Sequence, residues 1–156
     1  MRRSDREITD SLAIAAIMRR CEYVHIAMND QQVPYLLPFN FGMSDDGSKL
    51  YIHGAMDGTK YQVLQKDNRV RFSMVCTHGL YFDKTAGECS MNYESVIGTG
   101  RVVEITESAE KIQALDAIMA HYRGENFPYR KETALHTRVL CVHVESRTAK
   151  RRVMEY

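Results

Sequence analysis

The sequence predicts a mainly β domain with flanking helices, its antiparallel sheet closing into a barrel or sandwich. Two observations carry this. Short apolar, β-rich segments are joined by tight turns, and helical periodicity is confined to a few stretches. A doubly wound parallel sheet needs a helix after each strand, and that pattern is absent. No repeat, low-complexity segment or linker divides the chain, so residues 1–156 are expected to form a single domain.

Residues 10–21 open the structured part. Ile14, Ile17, Met18 and Cys21 recur at helical spacing, Thr9 or Asp10 suits the N-cap, and Arg19-Arg20 suits the C-terminal dipole. Residues 23–28 read as a strand and 29–32 as a turn. Residues 33–43 read as a second strand, interrupted by Pro34 and Pro38, so it should lie at an edge or carry irregularities where a ligand approaches. Ser44-Asp45-Asp46-Gly47-Ser48 is a hairpin turn, and residues 49–53 return from it.

A short helix is expected over 55–66 and a strand over 69–76, followed by a loop holding Gly79 and Gly87. Residues 91–105 read as a strand that Gly98 and Gly100 bend or bulge. Thr106 is placed to cap a helix whose apolar face is Ile112, Leu115, Met119 and Tyr122. A loop around Gly124 and Pro128 leads to a last strand over 137–144, with Leu140, Val142 and Val144 on one face.

Lys+Arg at 21 against Asp+Glu at 20 leaves a formal net charge of +1, so nothing marks the whole molecule as a nucleic-acid binder. Any anion site must be local. Four scattered cysteines without a CxxC pair, and a charged rather than apolar N-terminus, predict reduced thiols and a cytoplasmic setting. No apolar run approaches the roughly 20 residues of a membrane span. Cys76, Thr77, His78 and Cys89 match no zinc spacing, and Met56, Met74 and Met91 read as core fillers. His25, His121, His136 and His143 read as structural.

The segment richest in chemistry is Leu50-Tyr51-Ile52-His53-Gly54-Ala55-Met56-Asp57-Gly58-Thr59-Lys60. A strand ends at His53 and a helix begins near Asp57 or Gly58. Free N–H groups at a helix start favour an anion. Gly58 admits one closely, Thr59 adds a hydroxyl and Lys60 a full charge. Taken alone the same residues also describe an ordinary helix start with a solvated lysine. In the preceding strand, Phe39 and Phe41 offer flat apolar surface and Asn40 an amide that both donates and accepts. A planar heterocycle could lie there with its phosphate at Lys60; the same residues also suit an edge strand with core aromatics.

Pro34-Tyr35-Leu36-Leu37-Pro38-Phe39-Asn40-Phe41-Gly42, then Lys49-Leu50-Tyr51-Ile52-His53-Gly54-Ala55 and Gly58-Thr59-Lys60, resembles the pyridoxamine-phosphate-oxidase-like flavoproteins, and among them the nitroimidazole-resistance (Nim) branch. Asn68-Arg69-Val70-Arg71-Phe72, Tyr93-Glu94-Ser95-Val96-Ile97-Gly98-Thr99-Gly100-Arg101 and the helix over 110–122 continue the match across nearly the whole chain. The resemblance implies a split β-barrel that dimerises, with two FMN sites at the subunit interface. It places Pro38, Phe39, Asn40 and Phe41 beside the isoalloxazine and ribityl chain. His53, Gly54 and Ala55 line the same pocket, Gly58, Thr59 and Lys60 hold the phosphate, and Ser95 approaches from its own strand. His53 is the residue implied to meet substrate, as hydrogen-bond or proton donor.

The chain also departs from the pattern. Thr59-Lys60 stands where the pyridoxal-phosphate-forming oxidases usually carry Arg-Lys, and Gly54 replaces a common hydroxyl residue. Pyridoxamine phosphate is therefore not the expected substrate. The reading that follows is an FMN-dependent oxidoreductase, with FAD as the alternative flavin. A nicotinamide or other reductant would supply electrons to a small acceptor such as a nitroimidazole. The rival is a dimer that binds flavin, haem or a small ligand without turnover.

Overall fold

The computed structural model describes residues 4–154 apart from 32, 125–127, 129, 131 and 133–135, and gives only the backbone of Thr77 and His78. After a 3-10 turn (Ser4–Arg6) come β1 (Glu7–Ile8), α1 (Ser11–Arg20), β2 (Val24–Met28), β3 (Tyr35–Phe39), β4 (Phe41–Met43) and β5 (Lys49–Gly54). They are followed by α2 (Thr59–Lys66), β6 (Arg69–Asp83), β7 (Glu88–Ile105), α3 (Ser108–Arg123) and β8 (Arg138–Arg152). No helix among the described residues is long and apolar enough to cross a membrane.

All pairings are antiparallel, in the order β3-β2-β6-β7-β8-β5-β4, with β1 added to β8. The first and last strands of that order are consecutive in the chain, separated only by Asn40. A sheet whose two edges are joined by one residue cannot stay open. It curls until the edges meet, and the result is a split barrel. The expected strand over 33–43 is therefore two strands on opposite edges, and the break falls at Asn40 rather than at a proline.

The barrel is filled from its inward face by Ile26, Phe41, Leu50, Ile52, Phe72, Met74, Val96 and Val142, all at most 1% exposed. Helix α1 adds Ile14, Ile17 and Met18 to the same core. Each such side chain contributes about 1.5–3 kcal/mol through removal from water. The Asp10 carboxylate accepts from the Ala13 amide at 2.7 Å and so caps the helix. At its other end Arg20 donates to Glu94 at 2.6 Å, while Arg151 donates to the second Glu94 oxygen at 2.7 Å. Glu94 is only 3% exposed, and these two charge-assisted bonds offset its desolvation while tying α1 to β7 and β8.

Helix α3 covers the other face of β5 and β8, so the run Val139, Leu140, Cys141, Val142 is buried on both sides. Its seat is Gly42. A Cβ there would lie 2.4 Å from the Ile118 nitrogen and 2.5 Å from the Ala117 carbonyl carbon. The helix backbone thus rests directly on β4, and its buried face is Ala114, Leu115 and Ile118 rather than the wider stripe expected from Ile112, Met119 and Tyr122. Close approach of the helix backbone at Ala117 and Ile118 to Gly42 sets the face. Tyr122 works through its hydroxyl instead, donating to the Glu22 carbonyl at 2.6 Å and accepting from the Phe41 amide at 3.1 Å.

Other boundaries shift as well. β6 and β7 form one long hairpin past the expected loop, with a register shift at Thr77/Gly79; only residues 84–87 turn. The break expected near Gly98 and Gly100 falls between Thr99 and Gly100, against β8. α2 starts at Thr59, not at 55, and the α3 N-cap is Glu107, not Thr106. β8 runs on to Arg152 because it pairs with β7 along its whole length. Part of the loop around Gly124 and Pro128 lies outside the described residues. Of the methionines read as core, only Met74 is buried; Met56 and Met91 are 53% and 41% exposed.

Because the α3 backbone touches Gly42, Gly42→Ala should lower unfolding free energy by about 1–3 kcal/mol. Urea denaturation checks this, and an unchanged midpoint would show that α3 does not sit where the geometry puts it.

Candidate functional site

Strand β5 ends at Gly54, and a four-residue turn leads to α2. Gly58 is the N-cap, with φ +145°, a conformation that L side chains rarely adopt, and no side chain caps the helix. The first N–H groups of α2 therefore face outward with the positive end of the helix dipole.

Lys60 folds back over this turn. A Cβ on Gly54 would lie 2.9 Å from Lys60 Cε and 3.0 Å from Nζ, and one on Gly58 would lie 3.5 Å from Nζ. The two missing side chains are the space that the lysine occupies. Its ammonium sits 4.4 Å from the centre of the Tyr61 ring, and the Arg138 guanidinium sits 3.8 Å from the same ring. The Tyr61 hydroxyl donates to the Ala55 carbonyl at 2.7 Å, fixing the turn.

The two cations are not equivalent. Arg138 donates through Nε to Glu104 at 2.8 Å, closes a second short bond to the other Glu104 oxygen, and reaches the Met56 carbonyl at 3.3 Å. That pairing holds the Glu104 carboxyl below the usual carboxylate range. Among the described residues no carboxylate pairs with Lys60. The cradle thus carries one cation paired with Glu104 that braces Tyr61, and one cation in no ion pair among the described residues beside an open helix start, with Asp57 near Tyr61 and Arg138. Burial pushes the Tyr61 phenol up, against the pull of Arg138, so it stays a neutral donor at neutral pH.

The expected site residues divide between two faces of β5. Leu50, Ile52 and Gly54 alternate inward; Lys49, Tyr51 and His53 alternate outward. Gly54 pairs with Arg138, and His53 pairs with Val139, a member of the cluster beneath α3. Gly54, Ala55, Gly58, Thr59 and Lys60 come together at the cradle, whereas the His53 ring is on the opposite side of the strand from Lys60. Partial desolvation lowers the His53 proton affinity, although the residue keeps an exposed surface. Asn40 follows one residue past the Phe41–Ile52 pair, where His53 follows Ile52, so both stand at the same rim and both are exposed.

Phe39 and Phe41 are 9% and 0% exposed. Their rings are part of the core, so the flat apolar surface expected of them is turned inward, and this segment presents the exposed Pro38 and Asn40 instead. Ser95 lies on the outward face of β7, opposite Val75 on β6 and Lys150 on β8, and does not meet the cradle within one chain.

Arg138 and the bracing role of Tyr61 were not legible beforehand. Arg138 reaches the turn only through the β5–β8 register, which leaves no local signal. His121 is structural, as expected: its Nε2–H donates to the Cys21 carbonyl at 2.9 Å, and its ring lies 4.3 Å from that of Phe41.

The molecule is thus a split antiparallel barrel whose rim carries a glycine-lined, lysine-topped helix start. Residues 10–151 match the family model described as pyridoxamine 5'-phosphate oxidase, and the chain belongs to that family. Among solved structures it is similar to a proposed 5-nitroimidazole antibiotic resistance protein from Bacteroides thetaiotaomicron. The two are 31% identical, with a TM-score of 0.81, over 92% of this chain and 85% of the other. The flavocytochrome Anf3 from Azotobacter vinelandii shares the fold at 20% identity and a TM-score of 0.81, over 99% and 72% of the two chains. The FAD and haem binding protein from Mycobacterium smegmatis does so at 17% and 0.81, over 96% and 74%. No curated protein matches the chain.

Two outcomes follow from this geometry. Tyr61→Phe should cost about 1 kcal/mol of stability, from loss of the bond to Ala55, with the fold retained; equal urea midpoints for the two proteins would contradict it. The His53 imidazole should titrate below the ordinary value of about 6.5. A folded-state value depressed in this way makes protonation favour the unfolded chain. His53 therefore withdraws stability as pH falls through 6.5, and His53→Gln should flatten that slope. An NMR titration placing His53 above 6.5 would reverse the sign.

Proposed function

We propose that this chain binds FMN as a homodimer and serves as an oxidoreductase, passing electrons from a nicotinamide or other reductant to a small acceptor such as a nitroimidazole-type compound. The observation that carries the reading is the Lys60 ammonium, laid over Gly54 and Gly58 at an uncapped helix start, with no carboxylate paired to it among the described residues. A phosphate dianion fits that charge, those free N–H groups and the Thr59 hydroxyl. Family membership supports the reading, as do the flavin-associated relatives with the same barrel.

Gly58, Thr59 and Lys60 would hold the phosphate of FMN, and Ala55, Pro38, Asn40 and the backbone around Phe39 and Phe41 would hold the rest of it. The flavin would supply the electron-transfer chemistry when bound. The chain's residues bind and orient: Lys60 neutralises the phosphate, Tyr61 and Arg138 hold the turn, and Asn40 offers an amide to the ring's polar edge. His53, neutral at pH 7 and exposed at the same rim, is assigned to the acceptor as a hydrogen-bond donor.

The dimer reading rests on the outward face of β2, β3, β6 and β7. Register places Val75, Leu80 and Phe82 of β6 on the same face as Met91 and Ile97 of β7, with Leu36 of β3 beyond β2. These six are 41–58% exposed. Large apolar side chains exposed on one sheet face suit an interface, and a second copy covering them would carry Ser95 toward the neighbouring cradle.

Lys60→Ala should weaken FMN binding by about 1–3 kcal/mol while leaving riboflavin, which has no phosphate, bound as before. Flavin fluorescence titration measures both. Equal losses for the two ligands, or none, would place the phosphate elsewhere. Light scattering on the same samples reads the dimer, and a monomer that binds FMN at full affinity would remove the interfacial part of the reading.

A further inference from the structure

We propose that Cys21 and Cys76 form a reversible oxidation site, closing to a disulfide at the expense of a peroxide. Their sulfurs lie 2.9 Å apart, although the residues are 55 positions apart in sequence. Cys21 is the first extended residue after α1, and Cys76 is on the inward face of β6. Both thiols also lie near the Ile17 carbonyl, at 3.4 Å and 3.6 Å, so each has a fixed direction.

An ion pair ties together the backbone on either side of the two sulfurs. Cys76 pairs across the sheet with Glu94, and Glu94 holds Arg20, the residue before Cys21. The ion pair therefore clamps the two cysteines from the polar side. A disulfide has a sulfur–sulfur distance of about 2.05 Å, so closure needs a shift of under about 1 Å. Unconnected core cysteines are usually inert fillers; two that share one carbonyl and one clamp are set to react with each other.

The two sulfurs have different roles. Burial, the hydrogen bond with Cys76 and the nearby Glu94 push the Cys21 thiol well above the ordinary range, against the pull of Arg20. Cys21 is 1% exposed and Cys76 9%, so Cys76 is the sulfur that an oxidant reaches first. Its sulfur attacks the O–O bond of hydrogen peroxide and becomes a sulfenic acid, and the departing hydroxide leaves as water with the Cys76 proton. The Cys21 sulfur then displaces the sulfenic oxygen, which leaves as a second water with the Cys21 proton. Two thiols lose two electrons and two protons, and one peroxide becomes two waters. A dithiol restores both thiols by exchange.

The site is independent of the flavin reading and of the dimer face. Val75 points outward from β6, whereas Cys76 points into the core. The Cys21 carbonyl receives the His121 bond, and His121 packs on Phe41 next to Asn40. The cross-link would therefore fasten the corner where the barrel closes.

The full-length protein, treated with hydrogen peroxide, denatured and alkylated, should retain free Cys89 and Cys141 and yield a peptide pair linked through Cys21 and Cys76. Tm should rise by about 5–10 °C, since the bond closes a long loop. Dithiothreitol should reverse the rise, and Cys76→Ala should abolish it. Four alkylated thiols after treatment, sulfinic acid at either residue, or linkage through Cys89 would each overturn the proposal. Peptide mapping of the unmodified sequence decides the matter even if Cys76→Ala fails to fold.

Discussion

The barrel depends on one covalent constraint: Asn40 alone separates the strand at one edge of the sheet from the strand at the other. An open antiparallel sheet leaves two rows of unpaired backbone groups, and proteins must cover, twist or close them. Here the chain itself draws the edges together. The curl that results concentrates the apolar inward faces of β2, β4, β5, β6 and β7 on one axis, with α1 packed into the same core. It also brings the end of β5, the β3–β4 junction and the start of α2 to one rim.

Two glycines exploit missing side chains for different ends. Gly42 lets a helix backbone rest on a strand, so α3 covers β5 and β8 at a distance that any Cβ would forbid. Gly54 leaves room for a cation instead, and the charge arrangement around it is unequal. Arg138 is neutralised by Glu104 and spends its charge on bracing Tyr61, whereas Lys60 keeps its own. A cation stacked on an aromatic ring without an ion-pair partner is held in place, yet gains more from an arriving anion than from water.

Much of the architecture was readable in advance because it is local. The i, i+3, i+4 spacing of Ile14, Ile17 and Met18 matches α1 with its Asp10 cap, and the Ser44–Ser48 turn chemistry matches the β4–β5 hairpin. The readings that moved depend on distant partners. Residues 77–83 looked like loop, yet that stretch pairs with β7; α3 turned Ala114, Leu115 and Ile118 inward because Gly42 lies beneath its backbone. Phe39 and Phe41, which look like ligand surface in sequence, are core because β3 and β4 are sheet edges folded inward.

The same division holds for the site. The sequence by itself carried the expectation of an anion at Gly58-Thr59-Lys60, since helix-start chemistry, glycine freedom and a lysine are properties of neighbouring residues. Tertiary structure decided the rest. It set Arg138 against Tyr61 through the β5–β8 register, put His53 on the opposite side of β5 from Lys60, and brought Cys21 to Cys76 across 55 residues. Strand register and barrel closure are sums over many weak, distant contacts, and no window of adjacent residues contains them.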